Sequence, residues 1–189
     1  GEYSSYYGFN SLKSRTGGGY CTKPGNKKNA NILLKIKKKA LISEMVICIA
    51  DIQSYTTPVN NCLFFIPKEA EPFGTMVKYS NQFSGMRNND FEAMKPKEGN
   101  PVGGLFNIAS TRPQGSGTTY HKASFKPETS SRVLVKLLDS HGQGTTIDVY
   151  FISCNGWYLD ELLDYLKENN EDAEENQQAQ PQAQTVEKS

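Results

Sequence analysis

Residues 30–50 read ANILLKIKKKALISEMVICIA, and the fold class turns on how this run is divided. In its first part Ile32, Leu34 and Ile36 alternate with Leu33, Lys35 and Lys37, the two-residue period of a strand whose outer face becomes wet toward its end. The second part, ALISEMVICIA, is more fully apolar. The pattern predicts two strands joined by a tight lysine turn. Working outward, NNCLFFIPK (60–68) reads as a third strand and GGLFNIAS (103–110) as a fourth. SSRVLVKLLDS (130–140) sets Val133, Val135 and Leu137 against Leu134, Lys136 and Leu138. TTIDVYFISCNG (145–156) sets Ile147, Val149 and Phe151 against Asp148, Tyr150 and Ile152. Their connection, SHGQG, is rich in turn formers.

The remaining segments are of a different kind. Residues 1–29 are aromatic and glycine-rich, ending in RTGGGYCTKPGNKKN, and read as loop, with 1–19 poorly ordered. Residues 67–100 are broken by Pro67, Pro72, Gly74, Gly85, Pro96 and Gly99, with Tyr79, Phe83 and Phe91 as anchors for short strands. TRPQGSGTTYHK (111–122) reads as another loop. Leu159, Leu162, Leu163 and Leu166 fall at i, i+3, i+4 and i+7, one helix stripe over residues 158–168. Residues 169–189 are acidic and Gln-rich, too poor in apolar side chains to offset their ordering entropy, and read as a disordered tail or linker. Strands separated by Gly/Pro/Asn loops, with a single helix at the end, define an all-β chain, an antiparallel β-sandwich with a short C-terminal helix. The recognition domain is then 1–157.

Composition narrows the function classes. The 189 residues carry a formal net charge of +1, which argues against a general nucleic-acid binder, although the lysines crowd the N-terminal quarter and the acids crowd residues 160–175. Cys21, Cys48, Cys62 and Cys154 show no CxxC spacing and only two histidines are present, so neither a zinc site nor another cofactor is expected. Reduced thiols, and with them an intracellular (cytoplasmic or nuclear) setting, are favoured over disulfides. No apolar run reaches the length that spans a bilayer, so no membrane insertion is expected. The chain reads as a fragment of a larger polypeptide or complex.

The order of these pieces resembles the galactose-binding-like jelly roll, the fold of discoidin and Doc domains. FKPETSSRVLVKLLDSHGQGTTIDVYFISCNG (125–156) is similar to the end of a discoidin domain. YCTKPGNKKNANILLKI (20–36) and MVICIADIQSYTTP (45–58) are similar to the N-terminal half of a Doc domain, the substrate-recognition module of several ubiquitin ligases. The resemblance implies a jelly roll whose end loops hold a ligand, for Doc domains a short degron peptide. Carried over, it makes Ser54 and Tyr55 rim contacts with Ser140 and His141 opposite, and Asp51 beside them.

The chemistry of these residues suits a peptide. Hydroxyls bond backbone amides, a ring anchors an apolar side chain, and an imidazole accepts or donates. The plainer alternative has Asp51 and Ser54 forming an Asx-type turn and Tyr55 covering the barrel end. A second candidate pocket gathers Arg15, Tyr20, Lys23, Arg112, Tyr120 and His121 from two glycine-rich loops, where rings stack on sugar faces and arginine forks to oxygens. Catalysis is not expected. GGGYC lacks the features of a phosphate loop, GxSxG and HExxH are absent, and Cys154, drawn as nucleophile to His141, lies in a core strand pattern. The leucine stripe of the terminal helix is expected to dock on the sandwich edge, the alternative being a partner's groove.

The expected function is therefore non-catalytic binding of a peptide or protein partner through loops at one end of a β-sandwich, with a ubiquitin-ligase-type assembly as the favoured context. The rivals are a glycan-binding discoidin-like lectin domain with a structural calcium ion near Asp51, and a structural assembly domain.

Overall fold

A computed structural model describes residues 12, 18–26, 28–50, 57–67, 72–85, 102–107 and 118–178. Its elements are β1 (Tyr20–Cys21), β2 (Ala30–Ala50), β3 (Val59–Phe65), α1 (Phe73–Gln82), β4 (Val102–Asn107), β5 (Thr118–Ser140), β6 (Asp148–Val149), β7 (Phe151–Tyr158) and α2 (Leu159–Gln178). The larger sheet has the hydrogen-bonded order β4-β3-β5-β2-β7, and β1 pairs with β6; every ladder between named strands is antiparallel.

The two strands expected from residues 30–50 are one element. The lysines do not make a turn: residues 36–39 stand against the single residue Ser131, between the pairs Lys35↔Arg132 and Ala40↔Ser130. A wide irregularity of this kind bends a strand without ending its pairing. The ribbon made by β2 and β5 therefore changes neighbours at the corner. Its first half, Ala30–Lys35 on Arg132–Leu137, is flanked by β3 and β4, whereas its second half, Ala40–Ala50 on Thr118–Ser130, is flanked by β7. The two halves feed one interior. Ile32, Val133, Val135, Leu137, Cys62 and Phe64 from one layer share a buried cluster with Ile42, Met45, Ile47, Ile49, Ala123 and Ile152 from the other, and Ile36 packs against it. The antiparallel β-sandwich is thus made by folding a long ribbon over itself.

The opposite face of β3 and β5 is covered as well. Leu63, Phe65, Leu134 and Leu138 pack on Met76 of α1 and on Phe83 at its end. A helix lies where residues 67–100 suggest only short strands. Pro72 stands at its N-cap and Gly74 inside its first turn, positions a helix tolerates. Phe91 lies outside the described residues. Residues 118–122, expected as loop, continue β5, so Tyr120 and His121 are strand residues opposite Cys48 and Ile47.

The run expected as one strand over 145–156 divides at Tyr150, and the alternation changes phase there. Ile147 and Val149 face the core before the break, Ile152 after it, because the chain crosses from one layer to the other at this point. The terminal helix runs to Gln178, ten residues past its expected end. Its stripe docks only at its start. Leu159 and Leu162 are half-buried while Leu163 and Leu166 are exposed.

Candidate functional site

The crossovers between layers meet at the end of the sandwich away from the lysine corner. β2 finishes at Ala50, β3 starts at Val59 opposite Ser140, and the chain returns through residues 141–147 to β6. Three backbone bonds tie these segments: His141 N–H to Pro58 O (2.9 Å), Asp148 N–H to Thr57 O (2.8 Å) and Tyr150 N–H to Cys48 O (3.0 Å).

One buried carboxylate organises the junction. Asp148 Oδ2 accepts from Thr57 N–H (3.1 Å) and Thr57 Oγ1 (3.0 Å), and Thr57 Oγ1 lies 2.7 Å from Thr146 Oγ1. Ionised acceptors make the stronger hydrogen bonds, and here both partners come from the other crossover. Thr22 adds a third segment. Its backbone N–H donates to Ile147 O (3.0 Å), its Oγ1 accepts from Ile147 N–H (2.8 Å), and the same hydroxyl donates to Asn26 O (2.9 Å). Beside this knot, burial and the hydrogen bond to Asp148 push the Cys21 thiol up to about 12.

The turn residues between the strands are chosen by space. A Cβ on Gly144 would stand 2.1 Å from Thr57 Cγ2, and Thr57 cannot rotate away while it holds Asp148 and Thr146. Gly142 has φ +78°, a conformation that L side chains rarely adopt. His141, half-buried, and the exposed Gly142, Gln143 and Thr145 form the outer surface of this loop.

Of the residues singled out in the sequence, Ser140 and His141 stand at this end. Ser140 is buried and its hydroxyl donates to Thr146 O at 2.9 Å, so it braces the loop from within. Asp51, Ser54 and Tyr55, and Arg112 and Arg15 of the second pocket, lie outside the described residues. Tyr120 is exposed on β5. His121 is half-buried on the same strand, its Nε2 finds no partner, and burial lowers its pKa. Cys154 and His141 are not brought together. Cys154 pairs opposite Met45 in the body of β7, and burial raises the pKa of its thiol. None of the four cysteines is in a disulfide, and no group of three His, Cys, Asp or Glu among the described residues is arranged to hold a metal ion. No helix among them is long and apolar enough to cross a membrane.

Sequence reasoning missed a second concavity at the corner end. A groove of about 370 Å³ is lined by Ile36, Ala40, Ile42, Cys154, Asn155, Gly156, Trp157, Tyr158 and Glu161. The lone Trp of the chain, directly after Gly156, is the signal that could have found it. Gly156 is required because a Cβ would lie 2.1 Å from Leu41 O. Lys38 Nζ donates to Asp160 Oδ2 at 2.6 Å and lies 5.8 Å from the centre of the Tyr158 ring, fastening the corner to the start of α2.

No family model and no curated protein matches the chain. Among solved structures, it is similar to CpGH89CBM32-5 from Clostridium perfringens in complex with GalNAc-β-1,3-galactose. The identity is 8%, with 68% of this chain and 67% of that one covered at a TM-score of 0.42. It is similar to reduced XRCC1 bound to the DNA pol beta catalytic domain at 10% identity, covering 80% and 89%, TM-score 0.49. A third is the C-terminal domain of a chitobiase from Bacteroides fragilis, at 12% identity, covering 82% and 87%, TM-score 0.47.

Proposed function

We propose that the chain is a non-catalytic recognition module that takes a short peptide or protein segment on the crossover end of its sandwich. The observation that carries this reading is the Asp148 junction. One buried carboxylate holds Thr57 and Thr146, from two different crossovers, in fixed relation. A rim fixed before binding loses little freedom when a ligand arrives, and that saving goes into affinity. The imidazole of His141 and the amide of Gln143 then supply polar contacts at the surface. The non-catalytic part rests on the separation of Cys154 from His141 and on thiols held up by burial. The likeness of residues 20–36 and 45–58 to Doc domains supports a linear peptide as ligand and substrate recognition within a ubiquitin-ligase-type assembly as its setting.

The test is selection of a random-peptide library on the chain, followed by titration of the enriched peptides. His141→Ala with Gln143→Ala is expected to weaken binding at least about tenfold with the melting temperature unchanged. No enrichment, or binding indifferent to these substitutions, overturns the reading. A blank peptide selection with saturable signal on a glycan array assigns the surface to a sugar instead.

A further inference from the structure

The corner end carries surface that the loop-end reading leaves unused. Helix α2 leaves the body of the protein after Leu162, and Leu163, Tyr165 and Leu166 are 55%, 57% and 47% exposed. Next to it stands Trp157, 59% exposed, forming one wall of the groove. Large apolar side chains scattered singly need no explanation, but Leu163 and Leu166 on one helix stripe, with Trp157 just before the helix, mark an interaction surface.

We propose that this face is a two-fold interface between two copies of this chain, α2 of each copy lying across the lysine corner and groove of the other. Charge decides the occupant. The 20 residues of α2 hold eight acidic side chains and one lysine, whereas β2 presents Lys35, Lys37, Lys38 and Lys39, all exposed, along the corner. The Lys38–Asp160 ion pair shows the two elements attracting each other within one copy.

An isologous contact needs a patch that complements itself. This patch has both halves side by side, a projecting acidic helix with an apolar stripe and a groove whose Ile36 and Ala40 lie on β2 among the exposed lysines of the corner. A foreign partner would call for only one of them. Burying Leu163, Leu166 and Trp157 supplies the apolar core of the contact, and the lysine–carboxylate pairs fix its register.

Sedimentation equilibrium of the intact chain tests this. The expected mass is twice 21.0 kDa, with a dissociation constant at or below about 10 µM. Leu163→Glu with Leu166→Glu is expected to weaken association at least about tenfold while the thermal melt at low concentration stays in place, since both side chains are exposed. Lys35→Glu with Lys37→Glu, and separately Asp164→Lys with Glu168→Lys, are each expected to favour the single chain. Mixing these two variants restores the pair, because each then offers the charge that the other lacks. A single 21.0 kDa species at every soluble concentration overturns the proposal, including the case in which a different molecule covers this face. So does a dimer that ignores the substitutions. Peptide binding at the opposite end is read by titration and is unaffected by either outcome.

Discussion

Lys136 lies on the α1 face of β5 between Leu134 and Leu138, fully buried, with Ser84 Oγ 3.1 Å from its ammonium nitrogen. Burial pushes its pKa down to about 8. Between pH 8 and the usual lysine range near 10.5, the unfolded chain keeps a proton that the folded chain has released. Folding is therefore more favourable as pH rises through that window, and the penalty is fully present below pH 8. Wild-type stability in denaturant is expected to climb with pH, by up to about 3 kcal/mol from this group. Lys136→Met is expected to remove that climb and to be the more stable protein at pH 7, as apolar replacements of buried charges often are. Equal pH slopes for the two proteins contradict this account. The alternation of 130–140 already put Lys136 beside Leu134 and Leu138. That this face is dry could not be read there, because the cover is α1, which is distant in the chain.

At the scale of elements, the strands were legible where one residue in two is apolar. They were illegible where a strand bends. Three consecutive lysines read as a turn, yet the pairing of β2 with β5 resumes beyond them, since hydrogen bonds to a neighbour are not written in one strand's own pattern. The stripe of α2 was found, but which of its leucines are covered depends on how far it leans on the body. Two glycines test the packing of neighbouring elements. Gly156→Ala in β7 forces a methyl group against Leu41 O of β2 and is expected to cost about 1–3 kcal/mol in denaturant titration. Gly74→Ala in α1 meets nothing within 4 Å and is expected to stabilise by up to about 1 kcal/mol. Opposite signs from the same chemical change would tie the effect to contact; like signs would refute it.

For the molecule as a whole, the loop end was readable as a meeting of turns, but its organiser was not. Asp148 sits in an alternating strand pattern that gives no hint of its bonds to Thr57, which lies ninety-one positions earlier. Asp148→Ala strands the buried Thr57 N–H, leaves the Thr57 hydroxyl with Thr146 alone, and is expected to cost about 1–3 kcal/mol. Amide exchange should quicken at Thr57 and Ile147 together; loosening of only one crossover would show that the carboxylate does not couple them. The corner has a wider consequence. Because one ribbon supplies strands to both layers, neither layer can melt while the other persists, and heating should give one transition. The same ribbon sets the order of assembly. Residues 30–50 are synthesised well before their partners, which begin at Thr118 and end at Tyr158. The apolar side chains of β2 must therefore wait, unpaired, until β5 and β7 have emerged, a slow long-range closure in which a chaperone's protection has most to offer.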